Sequence, residues 1–225
     1  MNKASIITNT FIALVCALIF NTQSFAEPPN LAQLAHEVTV YHDSGAYQKE
    51  LNQVITQARA FIIARANANK HAAHPQKLAL VLDIDETSVS NYDKMVARGF
   101  VATKKQLNKE IIAADSPAIK PMLSLYKEAL QHGINLFFVT GRQESLRVAT
   151  NKNLNYAGYR GWSGLYLRPD NYSKPSIIPF KSQTRAAIMK NGYVIIASIG
   201  DQCSDLAGGF AEKTFKLPNP YYYLP

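Results

Sequence analysis

The sequence predicts an α/β fold: a doubly wound parallel sheet with helices on both faces and a small helical cap inserted after the first strand. Three observations predict it. Near-continuous apolar runs recur at 77–82 (KLALVL), 134–140 (INLFFVT), 164–169 (GLYLRP) and 193–200 (YVIIASIG), with a weaker one at 214–218 (TFKLP). They lack the alternation of a strand that faces water on one side, and so fit strands covered on both faces. Between them lie stretches with helical spacing, each stopped by a glycine. Finally, 225 residues, 47% of them hydrophobic, are enough for one core and too few for two ordinary domains.

Residues 1–26 read as a secretory signal peptide. They carry a single Lys3, an apolar run from Phe11 to Phe20, and Ser24 and Ala26 placed around Phe25 for cleavage after Ala26. The run falls short of the ~20 residues that span a bilayer. The expectation is therefore export, to a periplasm or outside the cell, without a membrane anchor. Cys16 follows Val15, where a lipidation motif needs a small residue, and Ala17 to Phe20 continue the apolar run. Cleavage would leave Cys203 as the sole cysteine of the 27–225 domain, which then has no internal disulfide.

From about Ala46 to Ala66, the positions Leu51, Val54, Ile55, Ala58, Phe61 and Ile62 recur at helical spacing and predict a long helix on the core. HAAHPQ breaks it before the first strand. Residues 92–116, with YDKMVARGF and TKKQLNKEIIAA, fit no strand-helix unit and are expected as the small cap, overhanging the end of that strand. The later helices are PAIKPMLSLYKEALQHG, stopped at Gly133, QESLRVATNKNLNYAG, stopped at Gly158, and FKSQTRAAIMKNG, stopped at Gly192. Folds of this class bind ligands beyond the carboxyl ends of their strands.

The formal charge of +8 falls by one when Lys3 leaves. The bases are scattered (Lys104, Lys105, Arg142, Arg147, Arg168, Lys181, Arg185, Lys190), with no run of five and no nucleic-acid module. A positive exterior that attracts small phosphate-bearing molecules fits better than a nucleic-acid polymer as partner. The histidines are expected in solvent: His36, His42 and His132 stand apart, and His71 and His74 lack a third ligand nearby.

The chemistry-bearing residues collect at the predicted strand ends. Asp83, Asp85 and Glu86 follow the first strand, and in an extended segment Asp83 and Asp85 share a side. Two carboxylates aimed together need a cation between them or a proton on one. Thr140 and Gly141, after the second strand, offer a hydroxyl and an unhindered amide that can hold an anion at the start of the next helix. Asp201 follows the fourth strand, with Asp205 one helical turn on, and Lys181 opens a helix with a positive charge. Hard oxygen donors without a His or Cys cluster point to Mg2+ held by Asp83, Asp201 and a phosphoryl oxygen. Cys203 reads as a spacer, and Trp162 and Tyr221 to Tyr223 as packing residues. Tyr92 and Phe100 are the cap residues placed to meet an organic leaving group.

DIDET (83–87), VTGR (139–142), Lys181 and GDQCSD (200–205), in that order and at strand ends, resemble the four-part signature of the haloacid dehalogenase superfamily. The DxDET form and the segment FKLPNPYYYLP are similar to its acid phosphatase branch, which includes bacterial class C acid phosphatases and plant vegetative storage proteins. The resemblance covers about residues 77 to 222. It implies a Rossmann-like sheet and a role for each matching residue. Asp83 would be the nucleophile that becomes an aspartyl phosphate. Asp85 would protonate the leaving alkoxide and later take a proton from water, while its backbone carbonyl binds the metal. Thr140 and Lys181 would hold phosphoryl oxygens. Asp201 would ligate Mg2+, with Asp205 joining it or orienting its waters. Ser88 after Thr87, the early Tyr92 and Lys94 depart from the class C pattern in a region that borders the leaving group.

The expected function is thus an exported Mg2+-dependent acid phosphatase acting on phosphomonoesters, nucleoside monophosphates among them. Two alternatives share the fold: a storage or binding protein without turnover, and a phosphotransferase that uses an acceptor alcohol. The oligomeric state is left open, a homodimer included.

Overall fold

The computed structural model describes residues 28–224. The chain divides into two units after Leu34; residues 28–34 are the described part of the first, and the sheet and all that follows belong to the second. The expected signal peptide and cleavage site, and Cys16, lie outside the described residues. Among those described, no helix is long and apolar enough to cross a membrane.

Among the described residues five strands form one sheet, β1 (Lys77–Leu82), β2 (Asn135–Gln143), β3 (Gly164–Arg168), β4 (Tyr193–Gly200) and β5 (Lys213–Lys216), in the order β3-β2-β1-β4-β5 and parallel throughout. The helices are α1 (Leu31–Asp43), α2 (Ala46–Lys70), α3 (Tyr92–Ala97), α4 (Lys104–Ala113), α5 (Lys120–Gln131), α6 (Arg147–Tyr156) and α7 (Ile178–Lys190).

The missing alternation has a direct cause in the packing. Leu78, Leu80 and Leu82 of β1 join Leu136, Phe138 and Ile196 in a core that α2 and α5 cover. Ala79 and Val81 point the other way, with Phe137, Val139 and Ile195, against Ile188 of α7. Successive side chains of a strand leave opposite faces, so a sheet buried on both sides needs apolar residues at every position. Helix α2 extends to Lys70, beyond the expected end near Ala66, and buries Tyr47, Leu51, Ile55, Ala58, Ile62 and Ala66 along one stripe.

β2 also departs from expectation. It continues past Thr140 to Gln143, and its register with β3 shifts between Thr140 and Gln143. A short 3-10 turn, Glu144–Leu146, intervenes before α6. Gly141 therefore sits in an irregular strand end, ahead of the 3-10 turn, and not at the start of a helix. Such a bulge redirects side chains at a sheet edge or rim, here Arg142.

After β1 the chain turns sharply. The Ile84 carbonyl accepts from Ser88 N at 2.8 Å and Val89 N at 2.9 Å. Glu86 takes φ 53°, the left-handed region that a non-glycine residue occupies only when its surroundings hold it there. Helices α3 and α4 follow over the sheet end, with Thr103 capping α4 by accepting from Gln106 N at 3.2 Å. At the end of β4, a Cβ on Gly200 would collide with the Asp205 side chain. Glycine there lets the 3-10 turn Cys203–Asp205 fold back onto the strand tip.

Candidate active site

β1 and β4 are neighbours, so the residues just past their ends meet. Carboxylate oxygens of Asp83, Asp201 and Asp205 all lie within 4.8 Å of one another, and each residue is buried, at 7%, 1% and 3% exposure. The backbone of Asp83 extends the β1–β4 ladder, its N–H donating to Ile199 O at 3.1 Å, and its carbonyl accepts from Ser88 Oγ at 2.7 Å. The nucleophile candidate is therefore rigidly mounted. Lys181, in the first turn of α7, brings Nζ to 2.8 Å from Asp83 Oδ1 and also onto Asp205 Oδ1. This one cation faces three buried carboxylates and leaves two negative charges to be balanced by protons or by a dication.

The electrostatics follow from burial. Desolvation first, then the charge of Asp205, push the Asp83 carboxyl well above the usual range, while Lys181 pulls it back. Burial works against the charged form of Lys181, but Asp83 and Asp205 outweigh it and hold the ammonium protonated. Asp201 is raised by burial and by Asp205, against hydrogen bonds that favour its ionised form. Those bonds come from Thr87 Oγ1 at 2.9 Å, Gln202 Nε2 at 2.9 Å and Asn219 Nδ2 at 2.6 Å. An all-oxygen set of three close carboxylates fits a hard divalent cation, and no His or Cys lies among them.

Asp85 lines the same pocket but turns to other partners. The Arg142 guanidinium grips it as a fork, Nη2 to Oδ1 at 2.7 Å and Nε to Oδ2 at 2.9 Å, and Asn91 Nδ2 donates to Oδ1 at 2.9 Å. Burial raises the Asp85 carboxyl, yet Arg142 and Asn91 overcome it and hold the group below its ordinary range. Arg142, counted from sequence among scattered surface bases, is buried at 5% exposure. Its place beside Thr140 in VTGR was the available signal.

Thr140, in β2 just before its irregular end, is buried in the pocket wall. Its Oγ1 accepts from Arg142 N at 3.2 Å, so the hydroxyl proton stays available to an anion. Glu86 is not one of the three clustered carboxylates, and Tyr222 OH lies between it and Asp201. Its carboxylate accepts from Asn91 N at 2.6 Å, Asn91 Nδ2 at 3.2 Å and Tyr222 OH at 3.1 Å. Burial, then the charges of Asp85 and Asp201, push it up to about 8 from 4.5.

A carboxyl whose folded value is raised favours the folded state when protonated. That contribution is complete below about pH 4.5 and is lost as pH rises through about 8. Metal-free protein is therefore expected to melt at a lower temperature at about pH 9 than at about pH 5. Thermal melts in EDTA across this range check it; a flat profile would show that Glu86 does not titrate there.

The pocket holds about 580 Å3 and is walled by the strand ends, by α3, α4 and the turn between them, and by residues 221–224. Asp83, Asp85, Thr140, Gly141 and Lys181 all line it. Tyr92 does not, which corrects its assignment as a substrate contact. Its ring stacks on His42 and its hydroxyl donates to Asp43 Oδ1 at 2.9 Å. An aromatic cluster of Tyr47, His42 and Tyr221 buries the ring and removes it from the pocket. His42 is correspondingly packed between rings instead of standing in solvent. Phe100, the other cap aromatic, does face the pocket and stacks on Tyr221 at 6.1 Å between centroids. Tyr222 and Asn219, read from sequence as packing or branch markers, are drawn into the site by their bonds to Glu86 and Asp201. Cys203 is exposed beside the acidic turn.

Residues 13–225 match the family HAD superfamily, subfamily IIIB (acid phosphatase). The chain is 35% identical to Acid phosphatase 1 of Solanum lycopersicum over 148 residues, 64% of this chain and 58% of that one. It is 36% identical to the Stem 28 kDa glycoprotein of Glycine max over 157 residues, 67% of this chain and 61% of that one. It thus spans about three fifths of the length of these relatives. The fold is similar to that of the class C acid phosphatase of Bacillus anthracis, with a TM-score of 0.68 at 21% identity and 86% of each chain covered. The motifs at the strand ends, the five-stranded parallel sheet and the match over nearly all the sequence agree: the chain belongs to subfamily IIIB, the acid phosphatases, of the haloacid dehalogenase (HAD) superfamily.

Proposed function

We propose that this protein is an exported, Mg2+-dependent hydrolase of small phosphomonoesters that works through an aspartyl phosphate on Asp83. The observation that carries the reading is the meeting of Asp83, Asp201 and Asp205 within 4.8 Å, beside Lys181. Asp83, Asp201 and Asp205, with the Asp85 carbonyl, would hold Mg2+, which supplies positive charge against the phosphoryl oxygens when bound.

In the first step an Asp83 Oδ forms a bond to phosphorus as the bond from phosphorus to the ester oxygen breaks. The Thr140 hydroxyl and the Lys181 ammonium hold the phosphoryl oxygens and offset the charge that would repel a carboxylate nucleophile. The Asp85 carboxyl gives its proton to the departing alkoxide, a poor leaving group near neutral pH. In the substrate-free site Arg142 keeps Asp85 ionised. A dianionic phosphoryl group arriving beside it raises its proton affinity and readies it as an acid. In the second step Asp85 takes a proton from a water that attacks phosphorus, the Asp83–phosphorus bond breaks and inorganic phosphate leaves. The small cap over about 92–116 borders the leaving-group side, and residues 1–26 supply the export signal.

Purified protein is expected to release phosphate from p-nitrophenyl phosphate with Mg2+ and to stop when EDTA is added. Absence of release under any divalent cation would favour the storage reading, which the intact pair Asp83 and Asp85 argues against. A new phosphoester on adding an acceptor alcohol would instead mark a phosphotransferase.

A further inference from the structure

Five cations line the pocket, and they sort into two groups. Lys181 is paired with Asp83 and Asp205, Arg142 with Asp85, and Arg98 with Glu110. Lys104 and Arg168 have no carboxylate partner among the described residues. Every acid of the pocket is already engaged, since Glu86 is held by Asn91 and Tyr222. The acid nearest Arg168 in sequence, Asp170, is taken by Ser145, whose N–H and Oγ both donate to its Oδ1 at 3.2 and 2.8 Å.

Arg168 is half-buried at the end of β3. Its Nε donates to Gly141 O at 3.2 Å, which fixes the guanidinium at the rim and leaves its two terminal nitrogens to a ligand. Lys104 opens α4, on the cap side of the same cavity. The same cavity is also lined by apolar residues such as Phe100, Leu107 and Ile111. A cavity of about 580 Å3 is of the size that holds a whole organic ligand, not a phosphoryl group alone.

We infer that the preferred substrate is a phosphomonoester whose alcohol portion has an apolar body and a second anionic group, a carboxylate or another phosphate, received by Arg168 and Lys104. The inference rests on the hydrolase reading above and narrows its substrate class. A second anion there meets positive charge that no carboxylate of the described residues pairs, on half-buried Arg168 and exposed Lys104, and that charge favours entry of an anionic substrate.

The test compares para-carboxyphenyl phosphate with para-carbamoylphenyl phosphate, which share shape and differ by one charge. In low salt, kcat/KM is expected to be about tenfold higher for the carboxylate. The ratio should fall towards one in Arg168→Gln combined with Lys104→Gln, and for the unaltered protein in about 0.5 M salt. Equal kcat/KM for the two substrates overturns the inference and leaves the hydrolase reading standing. Equal losses for both substrates in the variant place Arg168 on the transferred phosphoryl group, and overturn it as well. Release from neither substrate but from p-nitrophenyl phosphate overturns this inference alone, and release from none of the three sinks the hydrolase reading and this inference with it.

Discussion

Asp83→Asn is expected to reduce phosphate release from p-nitrophenyl phosphate by about 10,000-fold or more, with the fold retained. An amide oxygen is a far weaker nucleophile than a carboxylate, and no other carboxylate of the cluster is both at the tip of β1 and mounted on the β1–β4 ladder. The fold should survive for a specific reason. Asparagine keeps an oxygen for the Lys181 ammonium, which also retains Asp205. It removes a charge that burial and Asp205 make costly, since the Asp83 carboxyl is raised well above its ordinary range. Melting temperatures in EDTA near neutral pH should therefore be no lower than those of the unaltered protein. Turnover that persists in a folded Asp83→Asn variant would remove the nucleophile from the mechanism.

The second large effect is on stability. Lys181→Met replaces the buried ammonium by an apolar side chain of similar length and leaves Asp83, Asp201 and Asp205 facing one another without the cation that contacts two of their carboxylates. Removing one side of a buried ion pair costs about 3–5 kcal/mol, and metal-free variant should lose about that much at neutral pH. Two conditions should restore it. Mg2+ replaces the missing positive charge, and acid protonates carboxyls whose folded values are already raised. For a raised carboxyl, the stabilising protonated form is present at low pH and lost as pH rises through the folded value. Denaturant melts with EDTA, with Mg2+ and at two pH values separate these effects. A variant as stable as the unaltered protein in EDTA above neutrality would mean that Lys181 does not balance the cluster.

Both predictions use residues whose place could be read from the sequence. Asp83, Thr140, Lys181, Asp201 and Asp205 follow apolar runs or open a helix, and in a parallel sheet all strand ends of one direction form one rim. The strands themselves were legible because burial on both faces demands unbroken apolar stretches. Arg142 was not legible in the same way. It has the composition of any other base in the chain, and what singles it out is the irregular end of β2, which sends it across to Asp85. Tyr92 and Phe100 looked equivalent on the cap. Their separation depends on His42 and Asp43, about fifty residues earlier, which capture the Tyr92 ring and hydroxyl. Asn219 and Tyr222 reach Asp201 and Glu86 across the whole length of the domain.

The amino-acid order alone therefore determined the strands and the helices from Ala46 onward, the rim at which the acids collect, the family, and the hard cation and anion such a rim suits, whereas helix α1 (Leu31–Asp43) was not read from it. The elements and the rim are consequences of local periodicity and of how far each residue stands from the end of its own element; the family follows from the resemblance of the motifs DIDET, VTGR and GDQCSD. The tertiary structure decided which base pairs with which acid, which aromatic faces the pocket, and which cations are left without a partner. Those outcomes depend on distances between residues far apart in the chain, and only packing sets them.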